Sequence, residues 1–502
     1  MTPLPRMAPL PRLSASTLHH AAKNVRLLGY DRAVLRSGIV HLGLGAFARA
    51  HLTEYTDDAL ARAAGDWGIT GVSLQRPDQR DRLAPQDGLY IALQRDGAGT
   101  QARIIGCVQR VLVAPEQPQA VVAAMADRSC RIVTLTVTEK GYCHDPASGR
   151  LDFAHPDITA DLAHPAAPRS AIGLIVAALE RRRAARLAPF TVMCCDNLPQ
   201  NGRLLARLVD EFARRRNAEL ADWIVAKGAF PCTMVDRIVP ATTDADVAAA
   251  SEAVGLLDLA AVVHEPFRQW VIEDRFVSAA RPAWQEVGAQ FVADVAPYEH
   301  MKLRVLNAAH SALAYLGYLS GRETIVEAVL DPILRRFVLD LWREEIIPVL
   351  AAPPGINLSA YSDRLMRRFE NPAILHRTWQ IAADGSQKLP QRLLDTIRER
   401  LARQLPITRL AHVVAAWIRY VGGVDEIGKL IDVRDPLATL LRTTLDGAGQ
   451  AAAERVARVI ALNEIFGDDL TDNQVFRAAV TEAYTAMLEH GVRDATLAQL
   501  AP

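Results

Sequence analysis

The sequence predicts an α/β protein whose parallel sheet is followed by a mostly α-helical domain. Short β-branched runs alternate with helical stretches from about residue 38, a pattern typical of a parallel sheet covered by helices on both faces. After Pro297, long helical patterns dominate. The chain has 502 residues, 50% of them apolar, which is enough for more than one core. We expect a flexible tail at residues 1–30, an α/β domain at 31–290 and a helical domain at 291–502.

Four runs predict the strands of the sheet, at residues 39–42, 69–74, 131–137 and 190–195. A helical pattern follows the first run through Leu60. A second predicted helix lies between Pro168 and Pro189, where apolar residues keep i, i+3, i+4, i+7 spacing. In the second half, helices are predicted at residues 299–318, 332–350, 410–420, 451–466 and 474–490.

The composition excludes several functional classes. Lys+Arg and Asp+Glu are equal at 57 each, so no net charge attracts nucleic acid or an anionic membrane. No apolar run reaches the length of a membrane span, and the N-terminus lacks the apolar segment of a signal peptide. The six cysteines form no C-x-x-C pair and the histidines match no zinc-ligand spacing, so we expect a reducing cytoplasm and no metal.

A glycine-rich turn follows the first predicted strand. Gly43-Leu-Gly45-Ala-Phe-Ala48 fits G-x-G-x-x-G/A between a strand and a helix, a context that favours a dinucleotide pyrophosphate over a plain turn. A nucleotide-binding protein without turnover or a methyltransferase could use the same loop. The acidic residue expected after the second strand is missing, because Leu74-Gln75-Arg76 stands there. The choice between NAD and NADP therefore stays open.

One helix carries three polar residues on a leucine-bearing face. At about 100° per residue, with Lys302 at zero, His310 lies at about 80° and Asn307 at about 140°, interleaved with leucines. Buried polar groups are costly unless they are paired or used. A buried lysine has a lowered pKa, which suits a general base, and asparagine N–H groups stabilise an alkoxide. A satisfied core network is the alternative interpretation. Asn197 follows a strand of the sheet, where such folds present groups to ligands.

These motifs resemble the polyol-specific long-chain dehydrogenase family, from about residue 38 to near the C-terminus. The resemblance is carried by residues 39–51, 134–142, 195–202, 230–240, 265–274 and 302–310. It implies a Rossmann-type N-terminal domain, a helical C-terminal domain and metal-independent catalysis. It also implies catalytic roles for Lys302, Asn197, Asn307 and His310 and substrate-site roles for Asp236 and Glu299. The cofactor loop of the family matches Gly43, Gly45, Phe47 and Arg49, whereas Ala48 replaces the family's first histidine.

The substrate implied by the resemblance is a keto sugar acid. Residues 384–392, Asp-Gly-Ser-Gln-Lys-Leu-Pro-Gln-Arg, are more similar to fructuronate reductases than to mannitol dehydrogenases, as are residues 136–142 and 230–234. Lys388 and Arg392 could meet a substrate carboxylate, or they could pair with acidic side chains or cap a helix. We expect NAD-dependent interconversion of D-fructuronate and D-mannonate, with a mannitol or arabinitol dehydrogenase as the alternative. The expected state is a monomer or a small homo-oligomer without nucleic-acid or membrane partners.

Overall fold

The computed structural model describes residues 10–145, 148–449 and 451–500. The chain divides into two compact units, Met1–Val295 and Ala296–Pro502. The first unit contains a parallel sheet with helices and the second is mostly helical, so the predicted fold class is confirmed. The division lies close to the predicted boundary at residue 290.

The N-terminal unit is built on a five-stranded sheet of order β5-β2-β1-β6-β9, in which every neighbouring pair is parallel. The unit contains β1 (Ser37–Leu42), β2 (Gly68–Ser73), β3 (Tyr90–Asp96), β4 (Gly99–Ile105), β5 (Val108–Val113), β6 (Ile132–Leu135), β7 (His144–Asp145), β8 (Arg150–Leu151), β9 (Thr191–Cys194), β10 (Thr233–Asp236), β11 (Val262–His264), β12 (Gln269–Glu273) and β13 (Gln290–Val292). The four predicted runs are β1, β2, β6 and β9. The sequence did not predict β5 or the smaller sheets β11-β3-β4, β10-β12-β13 and β7-β8.

The register of the large sheet brings the carboxyl ends of its central strands together. Leu42 of β1 lies opposite Val72 of β2 and Leu135 of β6, and Leu135 lies opposite Cys194 of β9. The residues after these strands therefore share one edge of the sheet. These strands are fully or almost fully buried, as expected for a parallel sheet covered on both faces.

The helices of the N-terminal unit pack around its sheets, with α9 against the smaller sheet β11-β3-β4. They are α1 (Ala46–Ala50), α2 (Leu52–Arg62), α3 (Asp78–Leu83), α4 (Pro118–Ala126), α5 (Pro156–Ala163), α6 (Ala171–Ala184), α7 (Asn201–Arg216), α8 (Ala218–Lys227) and α9 (Asp244–Val254). The helix predicted between the two prolines is α6. Its N-cap residue is Ser170, whose side chain accepts a hydrogen bond from the Gly173 N–H. The helix predicted through Leu60 is divided into α1 and α2 at His51, where the backbone leaves helical geometry (φ −130°, ψ −80°).

The C-terminal unit is a helical assembly around α11. Its helices are α10 (Ala296–Met301), α11 (Ala308–Leu319), α12 (Ile325–Leu330), α13 (Pro332–Asp340), α14 (Leu358–Phe369), α15 (Thr378–Ala382), α16 (Gly385–Leu389), α17 (Asp395–Ala402), α18 (Thr408–Val421), α19 (Ala438–Asp446), α20 (Ala452–Ile460), α21 (Asn463–Thr471), α22 (Gln474–His490) and α23 (Val492–Ala498). Three π-helical segments, Lys302–Asn307, Leu341–Ile346 and Pro390–Leu394, interrupt the α-helical path. The helix predicted at 451–466 is two helices, because the chain leaves helical geometry at Leu462.

The segment before β1 is packed against the N-terminal unit. Leu13 is fully buried, and its backbone N–H donates to the Leu257 carbonyl at 2.9 Å. The Arg26 N–H donates to the Ala102 carbonyl at 3.3 Å. Residues 12–26 thus differ from the predicted flexible tail, because burial and backbone hydrogen bonds fix them. Residues 1–9 of that prediction lie outside the described residues. Among the described helices, none has the length and apolar character needed to cross a membrane.

Candidate active site

The glycine-rich turn lies at the carboxyl edge of β1, and its two glycines are required for different reasons. Gly43 has φ +87°, and a Cβ there would lie 2.2 Å from the Thr136 carbonyl oxygen, so the turn itself excludes a side chain. Gly45 has φ −82°, and beyond the adjacent backbone the nearest atom of the described residues to a Cβ there would be the Gly43 oxygen at 3.9 Å. The protein alone does not require glycine at 45. The open space there fits the close approach of a pyrophosphate to the backbone.

A buried histidine fixes this turn. The Thr136 hydroxyl donates to the Gly43 carbonyl at 2.8 Å and lies 2.9 Å from His41 Nε2, while His41 Nδ1 lies 2.7 Å from the Thr134 hydroxyl. Burial lowers the pKa of His41 to about 4, so the ring is neutral. Because the Thr136 hydroxyl gives its proton to the Gly43 carbonyl, its oxygen can only accept a hydrogen bond from the ring. His41 therefore carries its proton on Nε2 and accepts the Thr134 hydroxyl proton at Nδ1. No motif in the sequence singles out His41.

The side chains predicted beside the cofactor turn have structural contacts. The Arg49 guanidinium is buried and donates to the Ala260 carbonyl. Phe47 stacks on the His51 ring at 5.0 Å, and His51 Nε2 is 2.9 Å from the Gln269 carbonyl oxygen. These contacts anchor α1 and the start of α2. Direct cofactor contacts of Phe47 and Arg49 stay predictions.

Asn197 is exposed at the end of β9, and its neighbours hold the backbone there. Asn201 is buried; its amide donates to the Asp196 carbonyl at 3.1 Å and to the Thr233 carbonyl at 2.9 Å, and its oxygen accepts the Thr233 N–H at 2.9 Å. Asn201 therefore ties the Asn197 turn to β10, whose last residue is the buried Asp236. Sequence reasoning missed this role, although the D-N-x-x-x-N-G motif contains the residue.

Lys302 and Asn307 are the first and last residues of a π-helical segment, and both are buried. The Ala308 N–H donates to the Leu303 carbonyl, five residues earlier. In a π-helix residues five apart are linked across one turn, so Lys302 and Asn307 share one side more closely than the α-helical wheel predicts. His310 follows one α-helical turn later, and Glu299 precedes Lys302 by three residues; both are buried.

Two buried polar nitrogen atoms on this helix lack protein partners. Within the described residues, Asn307 Nδ2 and His310 Nε2 have no hydrogen-bond partner. The His310 ring packs against Phe369 at 4.5 Å and edge-on against His376 at 5.4 Å. Burial, reinforced by the charge of His376 and Arg392, lowers the pKa of His310 well below its usual value, so the ring is neutral. These two atoms therefore have hydrogen-bonding capacity that the described protein groups do not use.

The two predicted carboxylate-binding cations contact backbone oxygens of the same unit. Arg392 donates to the Ser311 hydroxyl at 3.1 Å and to the Asn307 carbonyl at 3.5 Å. Lys388 donates to the carbonyls of Ala383 and Ile381 at the end of α15, which matches the helix-capping alternative. Arg392 therefore lies beside the helix of Lys302, and substrate contact by either cation stays a prediction.

One group of possible metal ligands occurs in the described part of the chain: Cys143, His155 and Asp157. Burial raises the pKa of the Cys143 thiol to about 12, so the thiolate that a metal requires is disfavoured. All six cysteines are free and buried.

Comparisons with known proteins decide the family. Residues 37–286 match the profile described as the mannitol dehydrogenase Rossmann domain, and residues 294–488 match the mannitol dehydrogenase C-terminal domain. The chain belongs to the mannitol dehydrogenase family. The predicted family resemblance and the predicted oxidoreductase class are thereby confirmed.

Three relatives represent this family. D-mannonate oxidoreductase of Escherichia coli K12 is 48% identical, with 93% of this chain and 97% of the relative covered. A mannitol 2-dehydrogenase of Aspergillus fumigatus is 40% identical, with 97% and 98% covered. The structure of Pseudomonas fluorescens mannitol 2-dehydrogenase in a ternary complex with NAD and D-mannitol has a TM-score of 0.90 at 40% identity, and covers 97% of this chain and 99% of its own.

Proposed function

We propose that this protein is an NAD-dependent oxidoreductase that interconverts a keto sugar acid and its secondary alcohol, D-fructuronate and D-mannonate. The observation that carries the proposal is the buried helix on which Lys302 is followed by two unpartnered polar nitrogen atoms, Asn307 Nδ2 and His310 Nε2. A proton-transfer group beside the unsatisfied amide N–H of Asn307 is suited to a carbonyl oxygen that becomes an alkoxide.

The glycine-rich turn supports NAD as the cofactor. Gly43 sets the turn, and the space above Gly45 admits the pyrophosphate. The bound nicotinamide supplies or accepts the hydride. No step in this proposal needs a metal, because lysine and asparagine perform the polarisation and proton transfer.

In the reducing direction, the protonated amine of Lys302 gives its proton to the oxygen of the keto group as the carbon is reduced. The N–H groups of Asn307 and Asn197 stabilise the negative charge on that oxygen, and neutral His310 donates from Nε2 to orient the substrate. In the oxidising direction, neutral Lys302 accepts the hydroxyl proton. Asp236 and Glu299 are proposed substrate-site residues.

The sugar-acid substrate is supported by Arg392, which is anchored on the carbonyl of Asn307 and so lies beside the helix of Lys302. A carboxylate there would meet a fixed cation, whereas a neutral polyol would not need one. The 48% identity to a D-mannonate oxidoreductase, against 40% to a mannitol 2-dehydrogenase, favours the same branch. We place the reaction in the cytoplasm, because six free buried thiols suit a reducing compartment.

The test is NADH oxidation with D-fructuronate, D-fructose and D-tagaturonate, each repeated with NADPH. We expect D-fructuronate to be preferred. Preference for D-fructose would move the protein to the mannitol branch, and preference for D-tagaturonate would refute the proposed sugar acid. Arg392→Gln should raise KM for the uronate more than for D-fructose. Ser311→Ala, which removes one hydroxyl acceptor of Arg392 and keeps the cation, is the matched control.

Lys302→Ala tests the catalytic assignment. General acid–base catalysis contributes about 10²–10⁴-fold, so kcat should fall by that factor while NADH affinity stays near normal. Lys227→Ala, at the exposed end of α8, is the matched control and should keep full activity. Near-normal kcat for Lys302→Ala at every pH would refute the assignment.

A further inference from the structure

Asp196 lies between the end of β9 and Asn197, and its carboxylate binds one neighbouring loop at three points. It accepts the Val137 N–H at 2.9 Å, the Thr138 N–H at 3.2 Å and the Tyr142 hydroxyl at 2.7 Å. That loop, residues 136–142, follows β6, the strand beside β9. An ionised carboxylate only accepts hydrogen bonds, so three converging donors match its chemistry.

The loop needs this support because its backbone is strained. Thr138 has φ +64°, a conformation that β-branched residues rarely adopt. Such conformations persist only where the surroundings determine them and they cluster at functional sites. The Val137 and Thr138 amides on the N-terminal side of this torsion and the Tyr142 hydroxyl beyond it all donate to Asp196. Asp196 therefore holds the loop from both sides of the strained residue.

The same loop is joined to the glycine-rich turn. The Thr136 hydroxyl donates to the Gly43 carbonyl at 2.8 Å, and the backbone carbonyl oxygen of Thr136 would lie only 2.2 Å from a Cβ at Gly43. At the other end, the Tyr142 oxygen is 2.8 Å from the Cys194 sulfur; since Tyr142 gives its proton to Asp196, the thiol donates. One continuous set of contacts thus runs from the cofactor turn through the loop to the residue that precedes Asn197.

We propose that Asp196 is a positioning residue that sets the Asn197 side chain relative to the cofactor turn. The inference rests on the proposed function, in which Asn197 donates to the developing alkoxide. A displacement of about 1 Å in a catalytic group can cost about 10²-fold in rate. Asp196 need not touch the substrate to have this effect, because it acts through the backbone of the next residue.

The test is a double-mutant cycle. Asp196→Asn keeps one carbonyl oxygen but puts an NH₂ group where an oxygen now accepts the Val137 N–H or the Thr138 N–H. Alone, it should lower kcat by about 10–100-fold with NADH affinity and substrate KM within about threefold. In the Asn197→Ala background, it should lower kcat by less than about threefold further, because the group that it positions is already gone.

Tyr142→Phe provides a milder variant that removes one donor and leaves both amide bonds. It should lower kcat less than Asp196→Asn and show the same loss of effect in the Asn197→Ala background. The two possible failures are distinct. If Asn197→Ala alone retains kcat, the proposed role of Asn197 is wrong. The positioning inference is overturned if Asn197→Ala collapses kcat and Asp196→Asn then lowers kcat by the same factor in this background as in the wild type. It is also overturned if Asp196→Asn changes only the folding stability.

Discussion

Substitution of the two glycines of the turn should separate folding from cofactor binding. Gly45→Ala places a methyl group where, beyond the adjacent backbone, the nearest atom among the described residues is the Gly43 oxygen at 3.9 Å, at φ −82°, a conformation that alanine adopts freely. The variant should be about 0.4–1 kcal/mol more stable without cofactor, because the unfolded chain loses freedom. Gly43→Ala places its methyl group 2.2 Å from a carbonyl oxygen at φ +87°. Left-handed strain of about 1–2 kcal/mol and overpacking of about 1–3 kcal/mol should together cost about 2–5 kcal/mol.

The two variants are compared by urea denaturation without cofactor and by NADH fluorescence titration. For Gly45→Ala we expect the dissociation constant for NADH to rise at least about tenfold, or about 1.4 kcal/mol, because the methyl group occupies the space proposed for the pyrophosphate. Wild-type NADH affinity in a well-folded Gly45→Ala variant would refute the proposal that this turn contacts the pyrophosphate. Equal losses of stability in both variants would refute the geometric distinction between the glycines.

Three further predictions concern pH, a buried charge and the cofactor. Burial raises the pKa of Asp196 to about 6, so kcat should decline below that pH as the carboxylate loses acceptor capacity, and the kcat profile of Asp196→Asn should lack this step. Because the pKa of Asp196 is higher in the folded protein than in the unfolded chain, the ionised carboxylate destabilises the folded state. Protonation between about pH 6 and about pH 4 removes this penalty, so the contribution of Asp196 to the free energy of unfolding should rise as pH falls, while kcat declines. Glu54→Ala should cost about 3–5 kcal/mol in urea denaturation at pH 7, because buried Arg237 loses its partner, whereas Glu454→Ala at an exposed pair should change little. Arg76 is exposed where an acidic residue would reject a 2′-phosphate, so NADPH should support turnover, and Arg76→Glu should lower kcat/KM for NADPH more than for NADH.

The central strands could be predicted from sequence because each is a short, nearly continuous apolar run bounded by turn residues. The strands of the smaller sheets escaped prediction for a physical reason. β4, for example, begins with exposed residues and ends with buried ones, so it shows neither alternation nor a continuous apolar run. The division of the predicted helix at His51 depends on tertiary contacts: the ring is held by Phe47 and by the Gln269 carbonyl, which comes from a distant strand.

The candidate site shows the same division between local and tertiary information. Gly43 and Gly45 could be singled out because a motif fixes their spacing relative to a strand. His41, Asp196 and Asn201 could not, because each acts through groups that the chain brings near only in the folded state. A lone histidine in an apolar strand carries no sign of the two threonines that determine its tautomer.

The helix that carries Lys302 and Asn307 illustrates why residue spacing alone misplaces side chains relative to one another. On an ideal α-helix Lys302 and Asn307 would be about 140° apart, too far to serve one oxygen easily. The structure changes the hydrogen-bond register between them, and neighbouring side chains bind the altered backbone: Trp342 Nε1 donates to the Val305 carbonyl at 2.8 Å, and Arg392 donates to the Asn307 carbonyl. The π-helical turn thus lets one helix present both the proposed proton-transfer group and the proposed oxyanion donor. Arg392 contacts this helix and is also the proposed carboxylate partner. Arg392→Lys should separate these two roles, since a lysine could still attract a carboxylate but could not reproduce the contacts of the guanidinium with the helix.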